Sequence, residues 1–87
     1  MTPAQTQEID ALIDRIAELL EQGKAVTFGA LIARKNEGLY LIKHVDRASQ
    51  PFALATHISA KGCAREFAYG LTPTRLRKAI EAAEGSA

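Results

Sequence analysis

The chain has no tryptophan, a single cysteine, three prolines and only 6% aromatic residues, and each scarcity narrows what 87 residues can be. A lone thiol, Cys63, has no partner for an internal disulfide, so a protein of a reducing compartment, the cytoplasm, is expected. With few large rings, the core falls to Leu, Ile, Val and Ala, and packing rather than a cofactor is the expected stabiliser. Nothing resembles a secretory signal, and no apolar run reaches the roughly 18 residues that would span a membrane. A glycine-rich phosphate loop is missing, as is any catalytic signature, so no enzyme activity, cofactor or small-molecule substrate is expected. The length allows one domain, residues 1–87, with residues 1–2 and 85–87 expected to fray.

The few groups that carry chemistry elsewhere have plainer roles here. His44, His57 and Cys63 would need Asp46 or a glutamate to complete a zinc site, and the close pair spacing of zinc ligands is missing. A Cys63–His57 nucleophile pair lacks a recognisable orienting carboxylate and oxyanion loop. Surface histidines and a small buried cysteine account for all three, and Ser49 and Ser59 read as turn and cap residues.

What is present is patterning. Thr2-Pro3 starts a helix in which Ile9, Leu12, Ile13, Ile16, Leu19 and Leu20 recur at three- and four-residue spacing, and Gly23 ends it. Between Ala25 and Val45 the period changes to two, folding back at Asn36-Glu37-Gly38. A three-residue loop there pairs Ile32 with Ile42 and Arg34 with Tyr40 and groups Phe28, Ile32 and Ile42 on one face. A two-residue loop at Glu37-Gly38 would instead put Ala33 opposite Ile42. Asp46 to Pro51 reads as a turn and Phe52–Thr56 as a third, short strand. Ser59 caps a second helix with apolar face Ala60, Cys63, Ala64, Phe67, Ala68 and Leu71, stopped at Gly70. Thr72-Pro73 starts a third helix with stripe Leu76, Ala79, Ile80 and Ala83.

The expected fold is therefore a single small α+β domain, α-β-β-β-α-α. Its three-stranded antiparallel sheet is covered by helices 1 and 2, with helix 3 at an edge. The rival is a winged helix, with short helices at 27–35 and 39–48 and strands at 52–58 and 65–71. The leading order is similar to that of double-stranded-RNA-binding domains in topology alone; it carries over no binding residue.

Charge supplies the functional reading. The overall +1 divides into −4 over residues 1–22 and +5 over residues 23–87. The basic set is Arg34, Lys35, Lys43 and Arg47 around the hairpin, Lys61 and Arg65 on helix 2, and Arg75, Arg77 and Lys78 at the start of helix 3. Positive charge in the first turns of a helix opposes the macrodipole, which calls for a compensating acid, with Glu18 or Glu21 the candidates, or for an external anion. Leu31, Leu41 and Val45 alternate out of phase with Phe28, Ile32 and Ile42, leaving the second sheet face apolar enough to serve as an interface with a second copy or a protein partner. The leading expectation is a small non-enzymatic regulator or inhibitor acting on a macromolecular partner, of the size of inhibitors encoded by phages and mobile elements. The alternative is a nucleic-acid-binding protein using the basic surface.

Overall fold

The computed structural model describes residues 3–45 and 53–85. Helix α1 spans Pro3–Glu21, strands β1 to β4 span Val26–Phe28, Leu31–Asn36, Leu39–His44 and Ala55–His57, and helices α2 and α3 span Ala60–Ala68 and Pro73–Gly85. The strands form one antiparallel sheet in sequence order, β1-β2-β3-β4. The fold is thus α+β, with four strands where the alternation suggested three. Residues 27–28, 31–36 and 39–44 are strand and 60–68 helix, so the winged-helix assignment does not hold.

The extra strand comes from a turn hidden inside an apolar run. Gly29 has φ +59 and forms with Ala30 a two-residue connection, since Phe28 pairs with Leu31. Glycine at the first turn position is what a tight hairpin of the II′ kind needs, and two flanking β-formers conceal it in the sequence. Ile32 therefore faces away from Phe28.

The second hairpin turns on two residues, not three. Asn36 pairs with Leu39, and Glu37 and Gly38 carry φ +51 and +82, the positive pair that a type I′ turn requires. This sets Ala33 opposite Ile42 and Arg34 opposite Leu41, the register that the three-residue loop would have excluded. The shift is one residue on a period of two, so every side chain of β2 changes face relative to β3. The twist of a primed turn matches that of the flanking strands, which favours it over a longer loop even with glutamate in a left-handed conformation.

Three helices lie on one face of this sheet. Val26, Ala33, Tyr40 and Ile42 point into the core, with Phe28, Leu31 and Ala55 packed at its margin. From the helices come Ile13, Ile16, Ala17, Leu19 and Leu20; Ala60, Cys63, Ala64, Phe67 and Ala68; and Leu76, Ala79, Ile80 and Ala83. Each set is the stripe expected from three- and four-residue spacing. Helix α2 packs across β2, β3 and β4, α3 packs against β1, and α1 contacts both other helices as well as β1 and β2.

The caps are local. Helix α1 closes with Lys24 N–H donating to the Leu19 carbonyl and Gly23 N–H to that of Leu20, both at 3.0 Å, with Gly23 at φ +85. That pair of bonds is the Schellman arrangement, which satisfies carbonyls otherwise left open. The Ser59 hydroxyl accepts from the Gly62 N–H at 3.1 Å, and Thr72 does the same for Arg75 at 3.3 Å. Thr2, the expected cap of α1, and the expected turn at 46–51 with Phe52 lie outside the described residues.

Candidate interaction surfaces

The register divides the sheet into two unlike faces. Opposite the helices stand Thr27 on β1, Ile32 and Arg34 on β2, Leu39, Leu41 and Lys43 on β3, and Thr56 on β4. Val45, whose N–H donates to the Ala30 carbonyl, continues this alternation by one residue, while Leu54 and Ile58 flank β4, the Leu54 N–H donating to the Ile42 carbonyl that the register sets opposite Ala55. Leu39, Val45, Leu54 and Ile58 are 40%, 44%, 58% and 88% exposed. The centre of the face differs from its rim, with Leu41 only 8% and Lys43 only 5% exposed. Leu41 nevertheless stands apart from the helix-side core cluster. Its cross-strand neighbours are Arg34 and Thr56, and Lys43 is opposite Ile32.

Of the three apolar candidates, Leu31 moves to the core side, because the Gly29-Ala30 turn reverses its phase. Leu41 stays on the helix-free face but is protected, and Val45 stays there and is open to solvent. Ile32, expected in the core, takes the place of Leu31 on this face, half-buried.

The basic residues are scattered over several elements. Lys61 on α2 pairs with Asp14 of α1 at 3.0 Å, and Arg77 on α3 pairs with Glu8 of α1. Glu8 is thus an acid compensating the start of α3, where Glu18 and Glu21 were the expected candidates; Glu18 instead joins Glu84 around Arg15, at 2.9 and 2.5 Å. Glu84 and then Glu18 raise the Arg15 pKa by hydrogen bonding its charged form. Charge separated along the sequence is in part neutralised in space: the acidic helix lies beside the basic ones. Lys35, Arg65, Arg75 and Lys78 are exposed. Lys43 is buried and partnered, and Arg47 lies outside the described residues. Arg34 is half-buried, and its Nε is shielded from solvent with no hydrogen-bond acceptor among the described residues.

His57 and Cys63 follow different paths. His57 Nε2 lies 3.1 Å from Glu66 Oε1, a carboxylate nine residues away that sequence spacing did not single out; it faces β4 only because α2 folds back across it. Cys63 is fully buried, with Sγ 3.9 Å from the Leu41 carbonyl. Burial, and next the charge of Glu66, push the thiol up to about 11, so it is neither a ready nucleophile nor a ready metal ligand. His44 is exposed at the end of β3, and Asp46 lies outside the described residues. Among the described residues no group of three or more His, Cys, Asp and Glu is arranged to hold a metal ion, and no helix is long and apolar enough to cross a membrane.

An open groove of about 540 Å³ runs between α1 and the α2–α3 corner, lined by Ile9, Ile13, Ala68, Tyr69 and Leu71, with Asp10 and Arg65 its charged members. It presents no nucleophile. Comparison with known proteins finds no matching family model, no matching curated protein and no matching solved structure.

Proposed function

We propose that the protein is a small non-enzymatic interaction protein, a regulator or inhibitor that binds a protein partner through the helix-free face of its sheet. The observation that supports this most is the composition of that face: Leu39 and Val45 stand open to solvent at its rim, with no helix over them among the described residues. A partner covering this rim would remove its aliphatic side chains from water, the contribution that the buried centre of an interface makes. The test is affinity capture with the wild type beside a Leu39→Lys/Val45→Lys double variant. A partner retained by the wild type and lost by the double variant supports the reading; a partner retained equally by both overturns it.

A second reading is nucleic-acid binding. It is favoured by the exposure of Lys35, Arg65, Arg75 and Lys78, with Arg65, Arg75 and Lys78 all on helices of one side of the sheet. About four phosphate contacts would give a slope of log K against log[salt] of about −3.6 on duplex DNA. Fluorescence anisotropy across a salt series, with Arg75→Glu/Lys78→Glu beside the wild type, tests it; binding that survives the reversal excludes this surface.

A further inference from the structure

Helices α1 and α2 lie antiparallel, with Asp14 paired to Lys61 at 3.0 Å and, further along, Ile9 and Asp10 facing Arg65, Tyr69 and Leu71 across the open groove. One turn on from Asp14 and Lys61, Asp10 and Arg65 stand at the next rung of this ladder. That rung is open. Both side chains line the groove, both residues are exposed, and neither makes an ion pair among the described residues. Beside them Tyr69 is 89% exposed, more than any other described large hydrophobic residue, at the wall of a groove that Ile9, Ala68 and Leu71 make apolar. A projecting ring next to an apolar groove, flanked by one unpaired acid and one unpaired base, is a surface able to complement itself.

We infer that this groove is the contact between two copies of the chain, related by a two-fold axis that runs along it between α1 and α2. Rotation about that axis keeps each residue at its own level and exchanges the helices, so α1 of each copy lies over α2 of the other. Asp10 then faces the second copy's Arg65, and Asp14 faces the second copy's Lys61, so that the signs alternate around each rung. At the adjoining level Tyr69 of each copy covers Ile9 of the other, which takes the ring and the groove out of water together. The charges select this axis, because one running across the groove would set α1 on α1 and acid on acid. Exposed charge pairs contribute little each and the apolar contact is small, so association is weak, depends on concentration and falls as salt is added. The contact is made by helices, away from the helix-free sheet face, and it stands whether or not a partner binds there.

The experiment is sedimentation equilibrium of the full chain over a concentration series at low salt. The wild type is expected to rise from 9.4 kDa toward twice that mass. Asp10→Arg and Arg65→Asp, each a change at an exposed residue, set like charges against each other across the axis. Each alone is expected to associate about tenfold more weakly than the wild type, with an unchanged far-ultraviolet circular dichroism spectrum. Mixed in equal amounts, the two variants are expected to regain association. In the mixed pair the introduced arginine meets the introduced aspartate, and the native Arg65 meets the native Asp10, a rescue that no effect within one chain can produce. A wild type that stays at 9.4 kDa throughout overturns the inference. So do single variants that associate as the wild type does, or a mixture that associates no better than its components.

Discussion

The two faces of the sheet come from the same strands and differ by one residue of phase, yet they do different work. On the helix side Val26, Ala33, Tyr40 and Ile42 are buried among aliphatic stripes from three helices. On the other side the buried residues are Leu41 and a lysine, with Leu39 and Val45 exposed at the rim. Small side chains explain part of the contrast. Ala33 and Ala55 on the inner face let α2 lie close, and the space saved there is filled by Cys63, Ala64 and Phe67. The inner face is packed by the helices, while the outer one leaves apolar area at its rim and an Arg34 Nε without an acceptor among the described residues.

The widest gap between the faces should appear in core truncation. Leu20→Ala, at a fully buried position, is expected to cost about 2–5 kcal/mol of unfolding free energy in urea titration, chiefly through the cavity, since alanine suits the helix. Next comes the alkaline behaviour of Cys63. Its thiol ionises near 9 in the unfolded chain and only near 11 in the folded one, so the unfolded state loses its proton first. Stability from this residue is whole below pH 9, falls between pH 9 and 11, and the loss amounts to roughly 2 kcal/mol. The difference in stability between wild type and Cys63→Ala, followed through that range, should narrow or reverse in the variant's favour; a constant difference would mean that the thiol is not shielded.

Smaller effects sharpen the picture at the joints. Ser59→Ala removes the oxygen that accepts from Gly62 and is expected to cost about 1 kcal/mol, measured by thermal or urea unfolding. Glu37→Asn at φ +51 should stabilise by about 0.5 kcal/mol, because asparagine tolerates the left-handed conformation better; a loss would contradict the two-residue turn. Smallest of all, Leu39→Lys on the outer rim should change stability by no more than about 0.5 kcal/mol. Were it to rival Leu20→Ala, the outer face would belong to the folding core and the contrast would disappear.

Much of the fold was legible residue by residue. The helical stripes, the caps at Ser59 and Thr72 and the stop at Gly23 are settled within one or two turns of chain, where spacing and side-chain chemistry act directly. Gly29 was the point of failure. Followed by Ala30 and set between Phe28 and Leu31, it reads as an interruption in a strand, and its φ of +59 with the pairing of Phe28 and Leu31 shows that the chain reverses there. The phase of β2 and the exchange of Leu31 for Ile32 on the outer face follow from such turns, as does the two-residue turn at Glu37-Gly38 where a three-residue loop was expected. The candidate surface was less legible. The basic residues were countable, but the pairings of Lys61 with Asp14 and Arg77 with Glu8, and the approach of Glu66 to His57, join residues 47, 69 and 9 positions apart.

By itself, then, the sequence determined the α+β class, the three helices with their buried stripes, and the reversal of chain near Asn36. Those depend on periods of 3.6 and two and on caps, all of which act between near neighbours. Tertiary structure decided the number of strands, which aliphatics face outward, and which charges are already spent, since register and ion pairing depend on where distant segments meet, and a shift of one residue inverts a face.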